Sequence, residues 1–352
     1  MTLESGNKIR ALLIEDSGFM RILLSDYLKK DPEIELVATA GNGKEGFEKV
    51  RLYQPDVVIT DMVMPKYDGL YAIRQIMAST PTPILVLSSL DKTNPKIFDA
   101  LNEGAVDFLD KPKADIQQTF EQGNYALGSL VKSLARLDRN TLLKRGHSEV
   151  TYDHTFTDEL SFEIVAIGAS TGGPGAIESI LTRLPANFPL PVVIAQHMPE
   201  RFLISFADRL NKLCPLEVRV PVTGEELLSN KVYIVPGHTN TKVVKRITDH
   251  RPCVTFTDRK YTEFNNPSVD CLMESVGQVY GKKSIGVILS GMGKDGTIGM
   301  QLIKKNGGMT IAQDEASSVV FGMPKNAIDE KAAERIVKLG DIPGFIVSCL
   351  DI

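Results

Sequence analysis

Ser170 stands in the run Ile167-Gly168-Ala169-Ser170-Thr171-Gly172-Gly173-Pro174, after an apolar strand-like stretch and at the opening of a helical one. Small residues around it expose the hydroxyl on a tight turn and leave backbone N–H groups free for a developing oxyanion, as a serine nucleophile requires. A histidine in Gln196-His197-Met198 and an aspartate in the turn Gly291-Met292-Gly293-Lys294-Asp295-Gly296 could complete the chemistry. The imidazole would take the serine proton and the carboxylate would orient the imidazole. Their order along the chain, serine, histidine, acid, differs from the serine, acid, histidine order of the α/β-hydrolase fold. Each residue also suits a plainer place: Ser170 a helix N-cap, His197 a satisfied and partly buried side chain, Asp295 a turn former beside Gly296. A phosphate-cradling loop is a third reading, although Gly168 to Gly175 matches neither G-x-G-x-x-G nor G-x-x-x-x-G-K-[ST].

A second set of reactive residues lies nearer the N-terminus. Glu15 and Asp16 follow one strand-like run, Asp61 another, Ser88 a third and Lys111 a fourth. Three carboxylates converging on one strand edge repel one another unless a hard cation sits among them, and magnesium suits an oxygen-only cluster. With that charge neutralised, one carboxylate can attack a phosphoryl group while the lysine ammonium and the serine hydroxyl hold its oxygens. Taken singly, each acid is equally a solvated loop or capping residue.

The elements that must position these groups follow from hydrophobic period. Strand patterns at Ile9 to Ile14, Ile34 to Ala40, Asp56 to Thr60, Ile84 to Ser88 and Ala105 to Leu109 alternate with helical segments such as Gly18 to Lys29, the last reaching about Leu137. Five βα units predict a doubly wound parallel sheet of flavodoxin-like order, whose ligands bind at the carboxyl ends of its strands. Residues 138–160 are polar and aperiodic and read as a linker. From Ser161 onward, apolar runs at Phe162 to Ile167, Pro191 to Ala195, Lys231 to Val235, Ser284 to Leu289 and Met309 to Ala312 predict a second doubly wound, mostly parallel α/β sheet. The predicted division is 8–137, 138–160 and 161–352. Ser170, His197 and Asp295 each fall just past a predicted strand, so one sheet edge could gather them.

Composition bounds the function. Of 352 residues, 43% are hydrophobic and 24% charged, the balance of a soluble globular chain. A net charge of -4 without a basic arm argues against nucleic-acid binding. Cys214, Cys253, Cys271 and Cys349 lack C-x-x-C spacing, which suits reduced thiols in a cytoplasmic protein. Neither a signal peptide nor an apolar run of about 18 residues occurs, so no membrane insertion is expected.

Asp61-Met62-Val63-Met64-Pro65-Lys66-Tyr67-Asp68-Gly69, taken with Glu15-Asp16, Ser88-Ser89 and Lys111-Pro112, resembles the response-regulator receiver domain. The resemblance implies that Asp61 accepts phosphate from a histidine kinase. It also implies a magnesium ion held by Glu15, Asp16, Asp61 and the carbonyl of Val63, with Ser88 and Lys111 as the switch residues. The Ser170 run, Gln196-His197-Met198-Pro199, Pro267-Ser268-Val269-Asp270, the Gly291 to Gly296 turn and Ala312 to Pro324 resemble the catalytic domain of the CheB family of chemotaxis protein-glutamate methylesterases. That family joins a receiver to such a domain in this order. The resemblance implies hydrolysis of glutamate γ-methyl esters on methyl-accepting chemotaxis receptors, with release of methanol, and deamidation of receptor glutamines. By motif, Ser170 is then the nucleophile, His197 the base and Asp295 the orienting carboxylate, with backbone N–H groups near Thr171 and Met292 forming the oxyanion hole. The esterase reaction would need no cofactor.

The chain departs from the family pattern at Asn265-Asn266, where a basic residue commonly precedes Pro-Ser-Val-Asp, at Pro236-Gly237-His238-Thr239-Asn240-Thr241, and at Asp91, where threonine is usual. None touches the inferred triad; they bear on substrate fit. A DNA-binding output would need a helix-turn-helix and a basic recognition face, and the second half offers glycine-rich turns instead. A non-catalytic adaptor would tolerate loss of Ser170 or His197, and both are present. Domain order further suggests a switch, in which phosphorylated Asp61 draws Ser88 inward and a receiver covering the Ser170 cleft uncovers it.

Overall fold

A computed structural model describes residues 8–88, 96–111, 127–137, 156, 160–261 and 266–350. The chain divides into two units, Met1–Gly146 and His147–Ile352. The predicted linker, apart from residues 156 and 160, lies outside the described residues, as do Asp91 and Asn265.

In the first unit the apolar runs become β1 (Ile9–Ile14), β2 (Ile34–Ala40), β3 (Val57–Asp61), β4 (Ile84–Ser88) and β5 (Asp107–Asp110). Between and after them lie α1 (Gly18–Lys29), α2 (Gly43–Tyr53), α3 (Gly69–Ser79), α4 (Lys96–Asn102) and α5 (Leu127–Ala135). The sheet runs β2-β1-β3-β4-β5 with every pairing parallel, the expected flavodoxin-like order. β3 and β4 are buried along their whole length, as strands covered on both faces must be, which is why they read as unbroken apolar runs and not as alternations. Short polar side chains start the helices. Ser17 accepts from the Met20 N–H, Asn42 from those of Lys44 and Glu45, and Asp68 from that of Tyr71.

The second unit contains β6 (Ile164–Ala169), α6 (Gly173–Leu181), β7 (Val192–Gln196), α7 (Glu200–Leu213), β8 (Glu217–Arg219) and β9 (Lys231–Ile234). A hairpin of β10 (Asn240–Lys245) and β11 (Pro252–Thr257) leads to α8 (Val269–Tyr280), β12 (Ser284–Ile288), α9 (Thr297–Lys305) and β13 (Met309–Gln313). The chain closes with α10 (Met323–Asp329), β14 (Arg335–Val337) and α11 (Ile342–Ser348). Seven parallel strands run β14-β13-β12-β6-β7-β9-β8. Chain order reverses around β6: the path leaves it toward β7 and β9, then returns to its other side as β12. Such a reversal opens a crevice beyond the strand ends.

The antiparallel β10–β11 hairpin is absent from the sequence expectation, as are the three-residue edge strands β8 and β14. Edge strands this short carry almost no period. The hairpin sends the paired Val243 and Val254 into the core and leaves Lys245 exposed at its end. Among the described residues no helix is long and apolar enough to cross a membrane.

Tyr233 of β9 is the largest fully buried side chain among the described residues, and its hydroxyl donates to the Glu226 carbonyl and accepts from the Leu228 N–H, each at 3.0 Å. Tyr233→Phe removes both bonds and strands two backbone groups, so it is expected to cost about 1–3 kcal/mol. Urea denaturation of the full chain followed by far-UV circular dichroism would check this, and an unchanged midpoint would contradict it.

Candidate active site

Sheet register puts the nucleophile beside the base. Ala169 of β6 pairs with Gln196 of β7, so Ser170 and His197 are the next residues on two adjacent parallel strands, which lie about 4.8 Å apart. The His197 N–H donates to the Ala169 carbonyl at 2.9 Å, and the Ser170 N–H donates across the other side to the Ser290 carbonyl at 3.0 Å. Gly291, just past β12, completes the enclosure. A side chain there would have its Cβ 2.8 Å from Ser170 Cβ and 2.3 Å from Met323 Sδ, so only glycine lets this turn lie against the serine. Ser170 and His197 are each 5% exposed.

His197 Nε2 lies 2.8 Å from Asp295 Oδ2. A carboxylate accepts, so Nε2 carries the proton and the Nδ1 lone pair is the free one. Nδ1 is buried without a hydrogen-bond partner among the described residues. The structure therefore joins His197 to Asp295 directly, and sets Ser170 next to His197 by register without a hydrogen bond between hydroxyl and ring. Catalytic hydrogen bonds of this kind commonly close only with substrate present.

Asp295 is held from several directions. Oδ2 also accepts the Val269 N–H at 2.8 Å, while Oδ1 accepts the Asp270 N–H at 2.9 Å and the Ser268 hydroxyl at 3.2 Å. The carboxylate thus sits on the N-terminus of α8, where unpaired N–H groups favour an anion. Burial acts to raise its pKa, but the His197 hydrogen bond and charge, together with the N–H groups of Asp270 and Val269, outweigh it and leave Asp295 below the ordinary carboxylate value. Ser268 is itself tied down, its N–H donating to Asn240 Oδ1 at 2.7 Å. Asp270 repays the contact by accepting the Gly299 N–H of α9 at 2.8 Å, so Asp295 caps α8 and Asp270 caps α9. Burial, and then the charge of Asp295, push the Asp270 carboxyl up to about 7. Sequence reasoning quoted the Pro267 to Asp270 run without giving these residues a task. The signal was an acid three residues after a proline at a helix start.

The Thr171 and Met292 N–H groups, named as oxyanion donors, have no hydrogen-bond partner among the described residues. They follow Ser170 and Gly291 directly. The intervening frame is rigid, since Ser290 Oγ donates to the Thr171 carbonyl at 2.7 Å and Ser290 N–H donates to Gln313 Oε1 at 2.8 Å.

In the first unit, Glu15, Asp16 and Asp61 bring one carboxylate oxygen each to within 4.8 Å of one another. Glu15 and Asp61 are buried and Asp16 is exposed. Lys111 Nζ reaches Asp61 at 2.6 Å and Glu15 at 2.7 Å. Burial raises the Glu15 pKa, and Lys111 only partly offsets it. Three acids against one ammonium leave negative charge on hard oxygen donors, which fits a divalent cation such as magnesium. Ser88, the last residue of β4, is fully buried, and its carbonyl accepts the Lys111 N–H at 2.9 Å. Val63 stands two residues beyond Asp61, with its N–H 3.3 Å from Asp61 Oδ1.

Residues 165–346 match the family model described as CheB methylesterase, and residues 11–121 match that of the response regulator receiver domain. The protein-glutamate methylesterase/protein-glutamine glutaminase 2 of Nitratidesulfovibrio vulgaris is 38% identical, over 97% of this chain and 99% of its own length. The protein-glutamate methylesterase/protein-glutamine glutaminase of Thermotoga maritima is 39% identical, over 96% of this chain and 98% of its own. A crystal structure of the Thermotoga maritima CheB methylesterase catalytic domain superposes with a TM-score of 0.51 at 38% identity, covering 53% of this chain and 98% of that one. Serine beside histidine at paired strand ends, with a buried acid on the imidazole, therefore occurs in a chain that belongs to the CheB methylesterase family of hydrolases and carries a response-regulator receiver domain ahead of the methylesterase domain.

Proposed function

We propose that this chain is a phosphorylation-controlled serine esterase that hydrolyses glutamate γ-methyl esters on chemotaxis receptors and deamidates receptor glutamines to glutamate. The observation that carries the reading is the buried His197–Asp295 hydrogen bond through Nε2, which leaves a buried Nδ1 without a partner among the described residues on the strand end next to that of Ser170. Nδ1 takes the Ser170 proton as the hydroxyl attacks the side-chain carbonyl, and the Thr171 and Met292 N–H groups receive the oxyanion. As the intermediate collapses to the acyl-serine, the imidazolium, its charge balanced by Asp295, gives its proton to the departing methoxy oxygen, releasing methanol, or to the amide nitrogen of a glutamine, releasing ammonia. Water then enters, gives a proton to Nδ1 and splits the acyl-serine, regenerating the hydroxyl. The names of the relatives support both activities, and ester and amide share this route because both pass through one acyl-enzyme.

Control falls to the first unit. Asp61 is the phosphoryl acceptor from a histidine kinase, Lys111 and Ser88 contact the transferred group, and Glu15, Asp16, Asp61 and the Val63 carbonyl would hold magnesium. That ion would offset the charge of the incoming phosphoryl group.

Ser170→Ala is expected to lower methanol release from a methyl-esterified receptor fragment by at least about a thousandfold while Asp61 still takes up phosphate. Retained turnover would remove Ser170 from its role. Asp61→Asn should keep basal hydrolysis and lose stimulation by acetyl phosphate, and chelation of magnesium should abolish that stimulation in the parent. Persistent stimulation in Asp61→Asn would place the phosphoryl acceptor elsewhere.

Asp270 supplies a pH test. Its carboxyl binds a proton more tightly in the folded chain than in the unfolded one, so the stability it contributes is complete below about pH 4 and is lost as pH rises toward about 7. Asparagine retains an acceptor for the Gly299 N–H but carries no charge. Asp270→Asn should therefore gain stability relative to the parent between pH 5 and pH 8 by urea denaturation, and a pH-independent difference would contradict this.

A further inference from the structure

Gln196 closes β7 immediately before the base and is 1% exposed. Its Nε2 donates to the Ser170 carbonyl at 2.9 Å and to the His197 carbonyl at 2.9 Å. One nitrogen thus bridges the main chains of the two residues whose side chains must meet. Its partners set the amide orientation, because exchanging nitrogen for oxygen would turn a third acceptor toward two carbonyls. The other end of the amide is confined by backbone. A Cβ at Gly173 would lie 2.1 Å from Gln196 Oε1 and 2.8 Å from Ala169 Cβ, so the glycine at the head of α6 makes the space that the side chain fills.

The ladder sets Ser170 and His197 at neighbouring positions but does not itself bond to the Ser170 residue from the β7 side. The last main-chain bond between β6 and β7 runs from the His197 N–H to the Ala169 carbonyl, while the Ser170 N–H is taken by Ser290 on the other side of β6, so no main-chain bond ties Ser170 itself to β7. Displacement by about 1 Å between reacting groups can cost about a hundredfold in rate. A side chain that corrects it must offer two N–H groups from one atom and carry no charge. Glutamine does so. Glutamate at the same length would present acceptors to acceptors, and methionine would present nothing.

We propose that Gln196 is a positioning residue for the acyl-transfer site, its amide fixing the Ser170 hydroxyl against the His197 ring through the two carbonyls, with Gly173 as the space that admits it. The inference rests on the reading of Ser170 and His197 as nucleophile and base.

The test uses the full chain with Gln196→Met, which keeps the length and removes both donors. Expected is a kcat for methyl-ester hydrolysis lower by about ten- to a hundredfold, a KM within about twofold of the parent because no substrate contact is lost, and a matching fall in the rate at which a fluorophosphonate labels Ser170. A folded variant with parental kcat and labelling rate overturns the proposal, as does a change confined to KM. Gly173→Ala displaces the amide without altering its donors and should reproduce the kcat loss, so it decides the matter if the methionine variant does not fold; parental kcat there overturns the proposal equally. Ser170→Ala measured in parallel separates the two levels. Its inactivity beside a fully active Gln196→Met removes only the positioning role, whereas its retained turnover removes the underlying reading.

Discussion

A carboxylate buried to 1% exposure has to be held by donors on every side, and in the second unit this constraint governs the surroundings of Asp295. His197 takes one oxygen, the first N–H groups of α8 share both, and the Ser268 hydroxyl reaches the second. Each partner brings an element with it: the histidine brings β7, the N–H groups bring α8, and Asn240, through Ser268, brings the β10 hairpin. The reciprocal cap by Asp270 then binds α9, the helix that follows Asp295, to α8. Removing the carboxylate would orphan several donors at once, so the group that orients the imidazole is also a junction of the fold.

The two units meet the same electrostatic problem in different ways. Around Asp295, backbone N–H groups and one imidazole compensate the charge, and the neighbouring Asp270 is pushed toward its neutral form. Around Asp61, a single buried ammonium spans two carboxylates and a third is left in solvent. The first arrangement is closed and suits a fixed orienting role. The second retains uncompensated oxygen atoms and suits a site that takes up a cation and a phosphoryl group.

Much of this was legible in the sequence because its signals are local. Apolar runs buried on both faces marked β1, β3, β4, β6, β7, β12 and β13, and the chemistry-bearing residues stand where such runs end. Asp295 and Ser170 were recognisable by their glycine-rich turns. What escaped depended on contacts between residues far apart in the chain. The Gln196 amide reaches back 26 residues, the Asp270 cap spans 29, and the choice of Nε2 over Nδ1 depends on where α8 places Asp295. The hairpin was missed for another reason: β10 and β11 mix Lys, Thr and Val in short alternations that no helix or buried-strand period announces.

Nδ1 is the ring nitrogen nearer the histidine's own main chain, so any group it serves must come from close by. Neighbouring strands in parallel register meet that demand, since their ends advance together and a short side chain such as serine spans the gap. Sliding β6 one step against β7 would turn the hydroxyl to the opposite face from the imidazole, while both strands, buried on both faces, would still bury apolar side chains. Fidelity of strand alignment during folding and competence for ester cleavage are consequently one property of this molecule, and a misaligned sheet would be catalytically silent before it was visibly unfolded.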